Sequence, residues 1–361
     1  MTEVGELITP TGVLVLPADR LGGDEWLQAR RWRRPDDIPG CPTGDVGLDL
    51  AMGYRIGSSD VPSILDLDGV DTPAHVYREK VFGIEGPANE NMRWGSVFEH
   101  SIAMEWCRRN RAVIDEIGLI ARMDKPWRQS TIDRRVRECP VHKDAGLECG
   151  LEAKHVEHVY EPRWRTENGL PDRITAQIID QLLNTGYAHM HYAVKIPGDF
   201  KMGIIYRDRE QQLMSYIDGA VEAFRKDYLL AGVEPPWNLA KADKLIALDN
   251  ATHPERDGVA ELDIDGIGDV MAYAEAAAME SAGRKRKKQL AAALREHANG
   301  AAVVTFAGER VYSYRMDNRA PEVDLQQLKE RWPDAYDACV TQKQSPTLII
   351  DKAYRMRGER S

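Results

Sequence analysis

The chain has 361 residues, of which 43% are hydrophobic and 29% charged, and a formal net charge of −10. No uninterrupted apolar run approaches the roughly 20 residues of a membrane span, and the N-terminal apolar run is preceded by acids rather than a basic region, so a cytoplasmic protein without a membrane anchor is expected. Five scattered cysteines suit reduced thiols, and the acidic balance excludes nucleic-acid binding through bulk charge while leaving room for local basic patches.

In chain order, residues 1–50 show little periodicity and read as an N-terminal arm around a short helix at 24–31, because Pro35, Pro39, Gly40 and Pro42 break any longer element. Ser59 or Asp60 can cap a short helix that opens at Val61-Pro62, and small residues before a helix N-terminus suit a phosphate. Residues 91–109 carry apolar and small side chains at helical spacing, which puts Glu99 on or beside a buried face. The segments 130–136 and 150–156 read as strands, 175–185 as a helix ended by Gly186, and 190–196 as a further strand. This order is α/β, with a core over 51–237 and an extension over 238–361. In the extension, the Ala-rich stretch 268–298 predicts a helical hairpin with Arg284-Lys285-Arg286-Lys287-Lys288 at or near its turn. A β-hairpin follows over 303–315, turning at Gly308-Glu309.

The chemistry-bearing stretch is Glu152-Ala153-Lys154. Residues two apart on a strand share a face, so a carboxylate and an amine enter one site. The carboxylate and the Ala153 carbonyl can bind a hard cation, and Lys154 can hold a water. Asp133 supplies a second acid from the preceding strand, Glu99 a third from a helix, and Gln177 an amide from the next helix. Glu148 and Asp144 compete with Asp133, but Glu148 lacks a lysine two residues on. Cys139, His142 and Cys149 are three groups that bind zinc without a fourth at a familiar spacing, so an unmetallated loop is expected. His155 and His158 read as surface or supporting groups, and Trp94 as structural.

Ile56-Gly57-Ser58-Ser59-Asp60, Trp94-Gly95-Ser96-Val97-Phe98-Glu99, Asp133, Glu152-Ala153-Lys154 and Gln177 through Thr185-Gly186 together resemble the successive motifs of the YqaJ-type viral recombinase family, the lambda-exonuclease-like PD-(D/E)XK nucleases. The similarity spans residues 24–237, and residues 303–336 resemble the tail of many members. The resemblance implies a mixed central sheet flanked by helices and hydrolysis of double-stranded DNA from 5′ ends with Mg²⁺, or Mn²⁺ as a substitute. It also implies a single-strand annealing protein as partner and a trimeric ring. Glu99, Asp133, Glu152 and the Ala153 carbonyl would be metal ligands, Lys154 the water-positioning base and Gln177 a water or phosphate contact. Ser59 and Ser58 would meet the 5′ phosphate with Arg55 or Arg30, and Arg284–Lys288 would contact DNA or a partner. An insertion before Ile56, and Ser58 in place of the family's usual glycine, depart from the pattern. An endonuclease or single-strand nuclease on the same core, or a DNA-end-binding protein without catalysis, are the competing readings.

Overall fold

The computed structural model describes residues 6–21, 26, 29, 54–67, 69–83, 90–142, 148–156, 169–253, 255–314, 324–340, 348–351 and 354. The chain divides into two compact units, residues 1–252 and 253–361.

The first unit contains two sheets. β1 (Gly12–Leu16), β4 (Leu119–Arg122), β5 (Lys125–Ser130) and β2 (Ile56–Gly57) form one sheet in the order β1-β4-β5-β2. β3 (Val113–Asp115), β6 (Arg134–Glu138), β7 (Cys149–His155), β8 (His189–Ile196) and β9 (Asp199–Tyr206) form the other, in the order β3-β6-β7-β8-β9. Each sheet is mixed: β2 and β5 pair in parallel, as do β7 and β8, and the remaining neighbours are antiparallel. The helices are α1 (Val61–Ile64), α2 (Pro73–Phe82), α3 (Glu90–Asn110), α4 (Asp172–Thr185), α5 (Gln211–Phe224), which runs on into a π turn over Arg225–Leu229, and α6 (Ala242–Thr252).

Three features depart from the sequence reading. The supposed arm contributes β1, whose alternate residues Gly12, Leu14 and Leu16 are buried against β4. Its partner lies a hundred residues away, so no local pattern announces it. The expected single strand over 130–136 is two strands: the chain leaves the first sheet after Ser130, buries Ile132 and enters the second sheet at Arg134. The first unit also runs past residue 237, because Leu245 and Leu248 of α6 close over Ala74 of α2.

Helix α4 shows why the sequence was readable where it was. Ile178, Ile179, Leu182 and Leu183 join the larger core, and Gly186 takes a left-handed conformation (φ 73°) that lets its N–H close the helix on the Leu182 carbonyl. A second core packs Ile102, Ala103 and Trp106 of α3 onto Cys149, Leu151 and Ala153 of β7. The central strand β7 is therefore covered on both faces.

In the second unit, the expected helical hairpin is one unbroken helix, α7 (Ile264–Ala298), of 35 residues. Arg and Lys favour helix, no proline interrupts the stretch, and Gly283 alone does not end it. The basic run therefore lies mid-helix. β10 (Val303–Phe306) and β11 (Glu309–Ser313) form the expected hairpin, turning at Ala307-Gly308 (φ 50° and 85°) rather than at Gly308-Glu309. Helices α8 (Leu325–Arg331) and α9 (Pro333–Cys339) follow. No helix among the described residues is long and apolar enough to cross a membrane.

Candidate active site

Strand alternation separates the functional side chains of β7 from its core side chains. Cys149, Leu151 and Ala153 point to α3, so Glu152 and Lys154 point to the other face, where α4 lies. Glu152 is 1% exposed. A carboxylate buried to that degree is costly unless its oxygens are satisfied, and here they are. Gln177 Nε2 donates to Oε1 at 2.7 Å, Gln181 Nε2 donates to Oε2 at 2.7 Å, and Lys154 Nζ lies 2.5 Å from Oε1. Gln177 and Gln181 are one helical turn apart, so one face of α4 presents both amides.

Asp133 stands where the chain passes from one sheet to the other, one residue before Arg134, which pairs with Leu151. Its Oδ2 accepts the Ala153 N–H at 2.6 Å, tying this carboxylate to the backbone of the Glu-Ala-Lys triplet. Burial, and then the Glu152 charge, press the Asp133 carboxyl well above the usual carboxylate range, with Lys154 opposing and Glu99 adding. Burial alone would lower the Lys154 pKa, but Glu152 and Asp133 outweigh it and raise the ammonium above its ordinary value. Glu99, on α3, accepts from Arg134 Nη1 at 2.7 Å, and the same Arg134 nitrogen donates to the Asp133 carbonyl.

Glu99, Asp133, Glu152, Lys154 and Gln177 thus meet in one electrostatic neighbourhood. Glu99 is turned toward Arg134 instead of converging on the other two acids. Gln181 and Arg134 escaped the sequence reading, although each had a signal: Gln181 follows Gln177 by one turn, and Arg134 adjoins Asp133.

The phosphate candidates fare differently. Ser58 is 3% exposed; its hydroxyl lies 2.5 Å from that of Ser130 and donates to Asp180 Oδ2 at 2.8 Å. Asp180 in turn pairs with the buried guanidinium of Arg128. Ser58 is therefore wired into a polar network of the core. Arg55 is buried and donates from Nη1 to the Ala29 carbonyl at 2.8 Å. Asp60 accepts from the Gly57 N–H at 2.9 Å and from Lys80 Nζ at 2.8 Å. Ser59 is exposed in the same turn, but α1 is a single turn long, so its dipole lends little to an anion there. Arg30, Asp144 and His158 lie outside the described residues.

Trp94 is not core: it is 47% exposed and stacks on Phe98 at 5.6 Å, which in turn meets the His155 ring at 4.5 Å. An aromatic tier thus lies open at the end of β7. The side chains Arg284–Lys288 are all exposed, and Arg284 pairs with Glu280 one turn back at 2.5 Å.

The opposite face of the same sheet holds a different set. Cys139, Cys149, His189 and His191 are all buried, with their ligand atoms within 4.8 Å of one another, and they are the sole convergent group of three or more Cys, His or acidic side chains among the described residues. Burial and then neighbouring imidazoles push His189 down to about 4 and His191 down to about 3, so both rings are neutral. Burial, and then Cys139, raise the Cys149 thiol.

Residues 25–188 match the family model of the YqaJ-like viral recombinase domain. Among solved structures, the chain is similar to LHK-Exo in complex with dAMP, at 19% identity and a TM-score of 0.40, covering 54% of this chain and 96% of that one. It is also similar to the alkaline exonuclease LHK-Exo from Laribacter hongkongensis (16%, TM-score 0.37, covering 56% and 95%). A phage related exonuclease from Haemophilus somnus 129PT is similar at 13%, with a TM-score of 0.35 and coverage of 49% and 94%. No curated protein matches the chain.

Proposed function

We propose, from the premise that residues 25–188 carry a YqaJ-like viral recombinase domain, that the chain is a metal-dependent DNA exonuclease acting through the site on β7. The observation that supports this most is the clamped, buried Glu152 with a second carboxylate, Asp133, pressed upward in pKa beside it. Like charges held this close are relieved by a cation, and carboxylate and carbonyl oxygens suit a hard one, Mg²⁺ with Mn²⁺ as substitute. Asp133, Glu152 and the Ala153 carbonyl would hold it, joined by Glu99 once released from Arg134. When bound, such an ion neutralises charge on the scissile phosphate and makes an attacking water more acidic.

The chain's own groups do the positioning. Gln177 and Gln181 fix the Glu152 carboxylate from both sides. Gln177 donates to Glu152 in this structure, so its first role is exerted through that carboxylate. Lys154 keeps its proton in this setting, which makes it a donor able to orient a water or a phosphoryl oxygen; the role of base implied by the family resemblance fits the raised Lys154 pKa less well. In the hydrolysis, the water oxygen bonds to phosphorus as the bond from phosphorus to the 3′ oxygen breaks, and the 3′ oxygen leaves with a proton. Digestion from 5′ ends of linear duplexes, handing single strands to an annealing protein, and assembly into a homo-oligomer complete the proposal. Within it Ser59 faces the DNA end, and Ser58 and Arg55 shape the turn from beneath.

The test is release of acid-soluble nucleotides from linear and circular duplex DNA with Mg²⁺ or EDTA, comparing wild type with Lys154→Ala. Metal-dependent release from linear DNA only, lost in the variant, is expected. Cutting of circles would replace the exonuclease by an endonuclease, and binding of ends without any release would leave a non-catalytic end-binding protein.

A further inference from the structure

We infer that Cys139, Cys149, His189 and His191 form a structural zinc site on the face of the second sheet opposite the carboxylates. This does not rest on the nuclease reading.

The strand pairings bring the four together. Cys149 opens β7 and lies beside His189 in the parallel register of β7 and β8, while Leu151 lies beside His191. His189 and His191 are two apart on β8 and so share a face, the one on which Trp106 meets the His191 ring at 4.9 Å. Cys139 follows the end of β6, the other neighbour of β7. Two neighbouring strands and the residue that follows a third thus bring ligands to one point.

Three of the four ligand atoms stand at tetrahedral separations, and Cys149 Sγ lies within 4.8 Å of each of them. With bonds of about 2.3 Å to sulfur and about 2.0–2.1 Å to nitrogen, the ligand atoms of a tetrahedral zinc lie roughly 3.3–3.8 Å apart. Here Cys139 Sγ is 3.3 Å from His189 Nε2 and 3.4 Å from His191 Nε2, and the two nitrogens are 3.2 Å apart. The ordinary alternative is a cluster of hydrogen-bonded thiols and imidazoles. A proton links only one pair of these atoms at a time, whereas a cation at the common centre satisfies all of them. Two thiolates with two imidazoles are a familiar zinc set, and four protein ligands leave no open position, which marks a structural rather than a catalytic site. His142, whose ring lies 4.9 Å from that of His189, packs beside the set without joining it.

Such an ion would staple the ends of β6, β7 and β8 where β7 begins, three residues before Glu152. It would close the connection from Cys139 to Cys149 without touching the carboxylate face.

The full-length chain, purified without chelator and dialysed against EDTA to strip weakly held ions, should retain about one zinc per chain, released to a chromogenic chelator on denaturation. Refolding with Co²⁺ should give the near-ultraviolet sulfur-to-metal charge-transfer band and tetrahedral visible bands. Cys149→Ser should lose the retained zinc, whereas Glu152→Gln should keep it. A wild-type chain that holds no zinc after dialysis and shows no charge-transfer band with Co²⁺ overturns the inference, whether or not the Cys149 variant folds. Zinc lost from Glu152→Gln but kept by Cys149→Ser overturns it as well, by moving the ion to the carboxylates.

Discussion

At Asp133 burial and the Glu152 charge both oppose ionisation. A carboxyl whose folded pKa is raised contributes stability in its protonated form. That contribution is fully present below the ordinary carboxylate range and is lost as pH rises through the raised value. In EDTA the wild type should therefore lose thermal stability as pH rises above the ordinary carboxylate range, and Asp133→Asn, which can still accept the Ala153 N–H, should flatten that slope. Melting curves at several pH values would show it, with about 2–4 °C for each kcal/mol relieved, and parallel slopes for the two proteins would refute it. A cation must displace the same proton, so Mg²⁺ affinity should rise with pH over the same window. Gln181 offers a second case: it holds Glu152 Oε2 and reaches the Thr131 carbonyl at 3.3 Å. Gln181→Leu should cut kcat by about 10–100-fold and raise the Mg²⁺ concentration needed, since it frees the carboxylate from its support. A change confined to Tm, with kcat intact, would make Gln181 merely structural. The acids were legible because a Glu-Ala-Lys triplet on a strand is local. Of the proposed zinc set, Cys139 and Cys149 stood out in the sequence beside His142, but the two histidines that converge on them did not, because His189 and His191 reach Cys149 only through a parallel pairing across forty residues of chain.

At the level of elements, legibility followed the range of the interactions. α3, α4, β7 and β8 bury faces whose periodicity is written within each segment, and the structure places them within a few residues of the sequence reading. The break after Ser130 had no such signature, since both halves favour strand and only the separation of the two sheets decides where one ends. β1 was hidden for the same reason, and its seat explains a glycine that no turn requires. A Cβ on Gly118 would lie 1.8 Å from the Leu16 carbonyl oxygen, a backbone atom that cannot step aside without lifting β1 from β4. Gly118→Ala should therefore destabilise the first unit by about 1–3 kcal/mol, the range for overpacking, or more. Denaturant midpoints would measure this, and a change below about 0.5 kcal/mol, the usual size of a surface substitution, would show that β1 yields easily.

For the whole molecule, a formal charge of −10 means that any attraction for DNA must be local, and the run Arg284–Lys288 is the densest cationic segment in the chain. Its position inside α7, not at a turn, limits what it can do. Successive residues on a helix are about 100° apart, so five of them encircle the axis, and only two or three can face one strand of phosphates at once. Each phosphate neutralised on duplex DNA contributes about 0.9 to the dependence of log affinity on log salt. If this segment tracks DNA, replacing all five by Gln should lower that slope by about 2–3, weaken binding alike for all sequences, and leave Tm nearly unchanged, because these side chains are exposed and, among the described residues, Arg284 alone of the five has an ion pair, at Glu280. A slope reduced by about 4–5 would require the helix to be surrounded by phosphates, as in a channel. An unchanged slope would remove DNA from the list of its contacts and leave a solvated band or a protein-docking segment.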